Sequence, residues 1–513
     1  MDQIFHNGHI HPTASTQEVE ALWVKAGKIA GSGTVSQLQQ QAGASAKLHD
    51  LQGKSLLPGF HDPHIHLWKV GDLLTYMLDL RGVSSIAEMQ ERLREFATRH
   101  PERPWILARG FNETNLAEGR MPDRYDLDRA VPDRPCYVIR TCAHIAVVNS
   151  MVFSFLPNLD APPGGEVRRD KQGKTTGVFT ETALGLVTRL IPAHSPAAFR
   201  EMILAAQDAL LEKGITSATD PGVMPDLLAV YRQMEAAGEL KIRIHAMPII
   251  VPDGGSKPLP LPEQYHSDFL HIDTVKFFAD GGLSGKTAAL KQPYKNGGGK
   301  GIMRLKSSFF LNLAQQAQAA GWRIATHAIG DAAIDQVLAV YAELDRINPR
   351  GLRHRIEHLG FPHPEHLNLM RELGVFCVSQ PIFLYELGPN YRRYLPNFYL
   401  NRVFPYRSVL DAGVSLAFSS DAPVVKDFNP LMGIRNAVER VDMQGKEIGA
   451  TEKITLVEAL RAYTLGAAEA EGTEAVNGSL EVGKWADLVV LEGSPFLGGA
   501  LENIVVSEAT AGN

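Results

Sequence analysis

The chain has 513 residues, of which 44% are hydrophobic and 21% charged, an ordinary globular composition with enough apolar material for a large core. Its formal net charge of -6 gives no electrostatic basis for binding nucleic acid or an anionic membrane surface. The three cysteines, Cys136, Cys142 and Cys377, have no paired spacing, which argues against a disulfide framework and favours a reducing compartment.

Neither a secretion signal nor a membrane anchor is indicated. Residues 1–8 lack a basic region followed by a long apolar run. No stretch of the sequence reaches the roughly 20 apolar residues that a membrane-spanning helix needs. We therefore expect a cytoplasmic protein that acts on a small-molecule substrate and binds neither nucleic acid nor membrane, while homodimerisation stays open.

Both ends of the chain have the pattern of short strands joined by turns. Residues 4–10 contain Asn7-Gly8, a hairpin signal, and residues 21–30 contain a second turn between two strand-like runs. Residues 478–491 and 504–506 have the same character. Because domain termini often lie close together, we expect a composite β-sandwich domain built from residues 1–57 and 470–513.

Between the ends, apolar β-branched runs alternate with amphipathic helical patterns, which is typical of βαβ units and a parallel sheet. Helices are predicted at 197–213, 226–237, 309–320 and 332–347. After a first strand that carries His64 and His66, strands are predicted at 214–220, 242–247, 274–278, 323–327, 354–358, 375–379 and 414–419. Eight such strands predict an α/β fold, a (β/α)8 TIM barrel over residues 58–469.

Residues 67–213 interrupt this alternation. The segment has its own strand and helix signals, including a strand-like run at 137–140 and a turn-rich stretch at 162–166. It is too long for a barrel loop and follows the first strand, at the rim where a barrel collects its catalytic groups. We therefore expect it to contain an inserted cap subdomain.

The stretch from Leu56 to His66 is the part of the sequence around which the candidate site is organised. It has a short apolar lead, a Pro58-Gly59 turn, and then a predicted strand with His64 and His66. Alternate side chains of an extended strand share one face, so both imidazoles are expected to point the same way, as half of a metal site. Taken alone, a His-x-His pair is more often two ordinary strand histidines.

Further candidate ligands end the later strands. They are His327 after the fifth strand, His358 after the sixth and Asp421 after the eighth. Four histidines and one carboxylate exceed the needs of one tetrahedral ion, so the sequence predicts two divalent ions, with zinc as first choice, and a bridging solvent molecule. Any one histidine is more simply a core or surface residue, and Asp421 a cap on the following segment, but the ordered set favours a metal centre.

Lys276 is an exception in the otherwise apolar strand at 274–278. A buried, unpaired ammonium group is costly, so this lysine must be desolvated, paired or chemically altered. One interpretation is a salt bridge to Asp280 or Glu181. The other is carboxylation by CO2, which converts the amine into a carbamate that can bridge two metal ions. If Lys276 is unmodified, a mononuclear site is the alternative.

A set of ordered motifs extends over nearly the whole chain. The motifs are LPGFHDPHIH at 57–66, VKFFADG at 275–281, THAIGD at 326–331, RIEH at 355–358, SSDAP at 419–423 and GKWADL at 483–488. The inserted segment adds His144 with Asn149-Ser150, and a run from Gly164 to Glu181. In this set the chain resembles the metal-dependent amidohydrolase superfamily, specifically the amidohydrolase-3 group that contains N-substituted formamide deformylase-like proteins.

The resemblance implies a binuclear site. Its ligands would be His64, His66, carboxylated Lys276, His327, His358 and Asp421. One departure is that the glycine-tryptophan-aspartate run of this group is replaced by Arg109-Gly110-Phe111-Asn112-Glu113, which removes the basis for a substrate inference from that loop.

The predicted activity is hydrolysis of a C–N bond in an amide, an N-substituted formamide or a cyclic amide. A divalent metal ion lowers the pKa of water and so provides a hydroxide nucleophile, with Asp421 as general base and then general acid and with His327 and His358 as the other catalytic residues. Two alternatives stay open. One is metal-assisted chemistry of another kind, such as isomerisation, decarboxylation or ester cleavage, and the other is a catalytically silent binding protein.

Four further residues are weaker candidates. His144 and Glu181, in or near the cap, are expected to touch substrate, although both are equally consistent with ordinary polar loop residues. Asp331 is a candidate for substrate binding or for orienting a ligand, with helix capping as the alternative. Asp280 is expected to orient a metal ligand by accepting a hydrogen bond.

Overall fold

The computed structural model describes residues 2–141, 145–162, 165–252, 257–295, 299–498 and 500–512. The chain divides into two compact units, one of residues 1–67 with 207–513 and the other of residues 68–206. The second unit falls within the segment that the sequence predicts to contain an insertion. Within the described ranges, none of the helices combines the length and the apolar character needed to cross a bilayer.

The strands, in chain order, are β1 Gln3–Ile10, β2 Val19–Lys25, β3 Lys28–Gly33, β4 Lys47–Asp50, β5 Ser55–Pro58, β6 Phe60–Asp62, β7 Leu78–Asp79, β8 Ile106–Phe111, β9 Cys136–Arg140, β10 Ile145–Val148, β11 Gly165–Arg169, β12 Thr175–Glu181, β13 Ile215–Val223, β14 Arg243–Pro248, β15 Tyr265–His266, β16 Leu270–Ile272, β17 Thr274–Phe278, β18 Arg323–Ala328, β19 Arg355–His358, β20 Phe376–Ser379, β21 Leu416–Phe418, β22 Leu488–Leu491 and β23 Val506–Thr510.

The helices are α1 Val35–Ala42, α2 Leu67–Thr75, α3 Ile86–Arg99, α4 Arg124–Ala130, α5 Gly185–Thr188, α6 Pro196–Leu211, α7 Pro225–Ala236, α8 Ser307–Ala319, α9 Asp331–Ile347, α10 Pro364–Leu373, α11 Ile382–Glu386, α12 Gly388–Tyr394, α13 Asn397–Leu400, α14 Tyr406–Asp411, α15 Pro430–Glu439, α16 Leu456–Ala462 and α17 Leu465–Glu471. The four helices predicted from amphipathic patterns correspond to α6, α7, α8 and α9.

Strands from both ends of the chain form one hydrogen-bonded sheet in the order β23-β22-β5-β1-β2-β3, with β4 paired to β1. Alternation along the strands gives the sheet two apolar faces. Phe5 and Leu22 belong to one buried cluster, while Ile4 and Trp23 pack with Leu38 of α1 in another. The sheet thus contains strands from both ends of the chain, in agreement with the sequence pattern. The layered sandwich arrangement stays a prediction.

The Asn7-Gly8 hairpin prediction is wrong. β1 continues through both residues, with Asn7 at a φ of 59° and a register shift against β2 between His6 and Ile10. A Cβ at position 8 would lie 2.5 Å from the carbonyl oxygen of Lys54, so the glycine serves a close backbone approach within an irregular strand. The second predicted turn is confirmed, because β2 and β3 pair antiparallel around residues 26–27.

The unit of residues 68–206 is built on a six-stranded sheet in the order β11-β12-β10-β9-β8-β7. Its two faces carry separate apolar clusters. Ile106 and Val138 pack on one face with Leu93 of α3, and Tyr137 and Phe179 pack on the other. The strand predicted at 137–140 is confirmed as β9.

The remaining strands form two mainly parallel sheets, β15-β16-β14-β13-β6 and β17-β18-β19-β20-β21, of which only β15 runs antiparallel to its neighbour. A parallel bridge between Ile249 and Lys276 links the end of β14 to β17. At the other edge, the Asp421 amide donates to the His64 carbonyl oxygen at 2.8 Å. With helices between most of these strands, the fold is α/β.

Seven of the eight strands predicted for this part of the chain are confirmed, and the first is displaced. β6 ends at Asp62, so His64 and His66 lie in the segment between β6 and α2 and not on an extended strand. Pro63 has no amide hydrogen with which to continue the ladder. The Asp62 carboxylate instead accepts the amide of His64 at 3.3 Å.

Candidate metal centre

The segment after β6 is tied to the segment after β21. Asp62 accepts the amide of Ser420 at 3.1 Å, and the His66 amide donates to the carbonyl oxygen of Ala422 at 2.9 Å. These contacts bring the predicted histidine pair and Asp421 together, although β6 ends before the two histidines. Asp421 has a positive φ of 58°, a conformation uncommon for a residue with a side chain and often found at functional sites.

His64, His66 and Asp421 converge on one point. The Nε2 atoms of His64 and His66 lie 3.6 and 3.3 Å from Asp421 Oδ1, and one ligand atom from each of the three residues lies within 4.8 Å of the others. Asp421 is 7% exposed, and its carboxylate faces the two imidazoles. This position favours the predicted role as a metal ligand over the alternative, a cap on the following segment. Two imidazoles and a carboxylate are the donor types of a zinc-like site.

His327 and His358 adjoin this group. The rings of His327 and His358 have centroids 4.4 Å apart, and the His358 centroid lies 4.9 Å from that of His64. His327 occurs near the end of β18 and His358 at the end of β19, next to it in the sheet. The structure therefore brings all four predicted histidines to the same end of the parallel strands.

Each inner imidazole is oriented by a second polar group. The Glu357 carboxylate contacts His64 Nδ1 and is itself held by Arg355, while the Gln380 side-chain oxygen lies 2.6 Å from His358 Nδ1. With Nδ1 engaged in both rings, Nε2 is available to a metal ion. Asp280, predicted to orient a ligand, lies with Oδ1 3.3 Å from His327 Nε2 and accepts three backbone amides.

Sequence reasoning missed Glu357 and Gln380. A signal for Glu357 was available, because Arg355 and Glu357 place two opposite charges in the short strand that ends at the predicted ligand His358. Gln380 follows β20 directly, at the strand end where the other site residues collect. Neither position revealed its partner, since the pairing of side chains across parallel strands is not encoded locally.

Lys276 lies in the middle of β17 with its side chain fully buried. Its Nζ has no hydrogen-bond partner among the described residues, so the predicted salt bridge to Asp280 is not formed. The side chain of Glu181, the other predicted partner, is outside the described part of the chain. Burial lowers the pKa of the Lys276 amine to about 8, although the carboxylates of Glu357 and Asp421 oppose this shift.

The electrostatics of the group favour a cation. Burial opposes ionisation of Asp421, but its hydrogen bond to His66 and the nearby rings of His64 and His358 hold the pKa of the carboxyl well below its usual range. Burial lowers the pKa of both His64 and His358, so both rings are neutral and can offer a lone pair. An ionised carboxylate with neutral imidazoles and an orphaned amine fits a divalent metal ion.

The remaining predicted residues lie elsewhere or outside the described ranges. Asp331 is the first residue of α9, and its carboxylate accepts the Lys291 amide and the Tyr399 hydroxyl, each at 2.8 Å. Glu181 ends β12 in the other unit, and His144 lies outside the described residues. Asp331 is therefore engaged by contacts away from the group formed by the histidines and Asp421, and the roles of Glu181 and His144 stay predictions.

A cavity of about 330 Å³ opens beside the candidate centre. Phe278 forms part of its wall, and the Phe278 ring lies 5.6 Å from that of His327. The lining residues are Val251, Pro252, Phe278, Ile302, Met303, Arg304 and Leu305. Most of the lining side chains are apolar, but polar atoms make up the larger part of the exposed wall, and the Arg304 guanidinium lies over the Phe278 ring at 5.1 Å.

Comparison with known proteins gives a consistent result. The sequence profile of the amidohydrolase family matches residues 47–503. The chain is 28% identical to N-substituted formamide deformylase of Arthrobacter pascens over 506 residues, which cover 93% of this chain and 90% of that protein. It is 29% identical to LONG AFTER FAR-RED 3 of Arabidopsis thaliana over 512 residues, which cover 96% of this chain and 87% of that protein.

Solved structures extend the comparison to the fold. A crystal structure of an uncharacterized metal-dependent hydrolase from Pyrococcus furiosus superposes with a TM-score of 0.78 at 27% sequence identity. The match covers 96% of this chain and 100% of that one, so the similarity extends over both compact units.

Proposed function

Because the chain belongs to the amidohydrolase family, as the sequence motifs predicted, we propose that it is a metal-dependent hydrolase of a carbon–nitrogen bond in an amide, an N-substituted formamide or a cyclic amide. The single observation that carries the proposal is the convergence of His64, His66 and Asp421 beside two further imidazoles. The named activity of the Arthrobacter relative supports the C–N bond as the one cleaved.

The same proposal includes a closed (β/α)8 barrel. Its eight parallel strands would be β6, β13, β14 and β17 to β21, with the Ile249–Lys276 bridge joining the two sheets at one edge. The backbone bond from Asp421 to His64 supports closure at the other edge. In such a barrel the ligands end strands at the carboxyl-terminal face, which is where catalytic groups collect.

Two divalent ions would be held by His64, His66, Lys276, His327, His358 and Asp421. Lys276 would contribute as a carbamate, formed when the neutral amine attacks CO2 with loss of a proton to solvent. Its lowered pKa, buried position and lack of a hydrogen-bond partner support this assignment. When bound, the ions lower the pKa of a coordinated water molecule, so that a nucleophile is available near neutral pH.

Asp421 is the residue placed to move the proton. Its carboxylate is ionised and buried beside the imidazoles, so it can accept the proton of the attacking water and then deliver it to the leaving nitrogen. His327 and His358 flank the same space and would orient the carbonyl group under attack. The cavity next to Phe278, lined by apolar side chains and by polar atoms that include the Arg304 guanidinium, would take the substituent of the substrate that does not react.

The test is a metal-reconstitution assay with matched substrates. The protein is stripped with a chelator, reloaded separately with zinc or manganese, and assayed against N-substituted formamides, linear amides, cyclic amides and an ester of matched structure. We expect turnover of at least one C–N substrate that depends on the metal. Equal activity in the stripped protein would reject metal dependence, and turnover of the ester alone would reject the C–N assignment. Metal binding without any turnover would favour a binding protein.

A further inference from the structure

A second group of potential metal ligands lies at the opposite end of the parallel strands. It consists of His266, His271 and Asp273, whose ligand atoms all lie within 4.8 Å of one another. We propose that these three residues form a second binding site for a divalent transition-metal ion of the zinc class. The site is separate from the candidate metal centre, and its existence does not depend on the hydrolase activity.

The hairpin of β15 and β16 places the two imidazoles next to each other on one side of the hairpin. His266 and His271 are direct cross-strand partners, a pairing that holds Cβ atoms about 5 Å apart. Their ring centroids are 5.3 Å apart, with the ring planes at 75°. His266 is exposed and His271 half-buried, so an ion could enter from solvent and be held against the protein.

Asp273 supplies the third donor from the start of the next strand. The Thr274 hydroxyl donates to Asp273 Oδ1 at 2.7 Å, which leaves Oδ2 for an ion. Burial opposes ionisation of this carboxyl, but Arg323 and Thr274 hold its pKa below the usual value. The carboxylate is therefore ionised at neutral pH, as a metal ligand must be.

His245 adds a third imidazole to this region. It lies in β14 with 6% of its surface exposed, and its ring centroid is 4.7 Å from that of His271. Its Nε2 lies 3.8 Å from a carboxylate oxygen of Glu471, within ion-pair range but too far for a hydrogen bond. An ion or an ordered water molecule beside the ring would complete its polar contacts.

A small cavity connects His245 to the proposed site. It has a volume of about 10 Å³, and its wall includes His245, His271, Asp273 and Glu471. From this position the His245 ring can bind an ion directly or through one water molecule. Two or three imidazoles with one carboxylate favour zinc, copper or nickel over the oxygen-seeking calcium and magnesium.

The site is also separate in space from the candidate metal centre. Asp273 precedes β17, whereas the catalytic groups follow the carboxyl ends of the strands. Three residues of extended chain separate Asp273 from Lys276, a distance of about 10 Å. Loss of this second ion would therefore leave the ligand set of the first centre unchanged.

The decisive experiment counts zinc ions. Protein stripped with a chelator is dialysed against micromolar Zn²⁺, and bound zinc is measured by elemental analysis for the unaltered protein, His266→Ala and Asp273→Asn. His49→Ala is the matched control, because this imidazole also lies near a carboxylate, 3.9 Å from Glu508, but outside the site. We expect both site variants to bind one zinc ion fewer than the unaltered protein, with the control unchanged.

Equal zinc counts in all four proteins would overturn the proposal, and so would an extra ion that binds only at millimolar Zn²⁺. His266 is exposed, so His266→Ala keeps the test valid even if Asp273→Asn fails to fold. A Co²⁺ difference spectrum between the unaltered protein and His266→Ala gives a second measurement. Ligand-field bands of nitrogen and oxygen ligands are expected in the difference, and their absence would contradict the site.

Discussion

Replacing Lys276 by methionine measures separately how much the buried amine destabilises the folded protein and how much it contributes to metal binding and turnover. The Lys276 side chain is fully buried, and its Nζ lacks a hydrogen-bond partner among the described residues. Burial lowers the pKa of the amine from its ordinary value of 10.5 to about 8. This difference corresponds to a free-energy cost of about 3 kcal/mol for the charged amine in the folded state. Methionine has nearly the same length and no charge, so it fills the site without that cost.

We therefore expect Lys276→Met to raise the free energy of unfolding of the metal-stripped protein by about 2–3 kcal/mol at pH 7. The sign follows from proton binding. Between pH 10.5 and about 8 the unfolded chain holds a proton on Lys276 that the folded protein lacks, so the stability of the unaltered protein falls as the pH falls through this window. The advantage of the variant should be complete below pH 8 and should vanish towards pH 10.5.

Urea unfolding of both stripped proteins, followed by tryptophan fluorescence across this pH range, measures the difference. The control is Lys47→Met, at an exposed position in β4, which should change stability by less than about 0.5 kcal/mol. In the metal-loaded protein the same Lys276→Met change should lower both metal content and turnover. A stripped variant less stable than the unaltered protein, or a difference that does not change with pH, would refute the reasoning.

Three further outcomes are expected. Glu357→Gln removes the charged acceptor that orients His64, and metal affinity should fall roughly 10–100-fold in a competition with a chelating dye, while Glu343→Gln at a partly exposed helix position leaves metal affinity unchanged. Asp421→Asn should lower kcat by at least about 100-fold with the fold retained by circular dichroism, and a smaller loss would remove Asp421 as the proton carrier. Chelator treatment should abolish turnover, and zinc with bicarbonate should restore it faster than zinc alone; equal recovery would argue against a lysine carbamate.

The residues that carry chemistry were predictable because their types are unusual where they occur. A lysine inside an apolar strand, and histidines that end successive strands, are exceptions to burial rules that apply to every chain. These exceptions were sufficient to propose His327, His358 and Lys276 as site residues, and the structure places the two imidazoles next to His64 and buries Lys276. The ordered motifs then made the family prediction specific, because no single one of them is diagnostic.

Local chain geometry was less predictable. The strand expected to carry His64 and His66 ends at Asp62, because Pro63 cannot continue the ladder and Asp62 takes up the amide that follows. Asn7-Gly8 looked like a hairpin, yet a neighbouring backbone group sets its conformation. At Gly8 a contact from another part of the chain overrides the local signal, whereas the strand end at Asp62 is set locally by Pro63 and by the contact of Asp62 with the His64 amide.

The partners of His64 and His358 could not be predicted. That Glu357 contacts His64 depends on which side chains face one another between the parallel strands, and no local pattern encodes this. The isolation of the Lys276 amine is likewise a property of the packed interior. The sequence alone does not show whether a buried charged group is paired, so a salt bridge between Lys276 and Asp280 was a reasonable but incorrect alternative.

The pairing of β5 with β22 constrains how the protein is made. Leu488 of β22 pairs with Pro58 of β5, and β5 is followed by β6 and then by the segment that bears His64 and His66. During synthesis β22 is made long after β5, so the histidine segment is without this support while the chain between the two strands is translated. Contacts this distant along the chain slow folding. A chain that stops between residues 421 and 488 would contain every predicted ligand but lack the supporting strand.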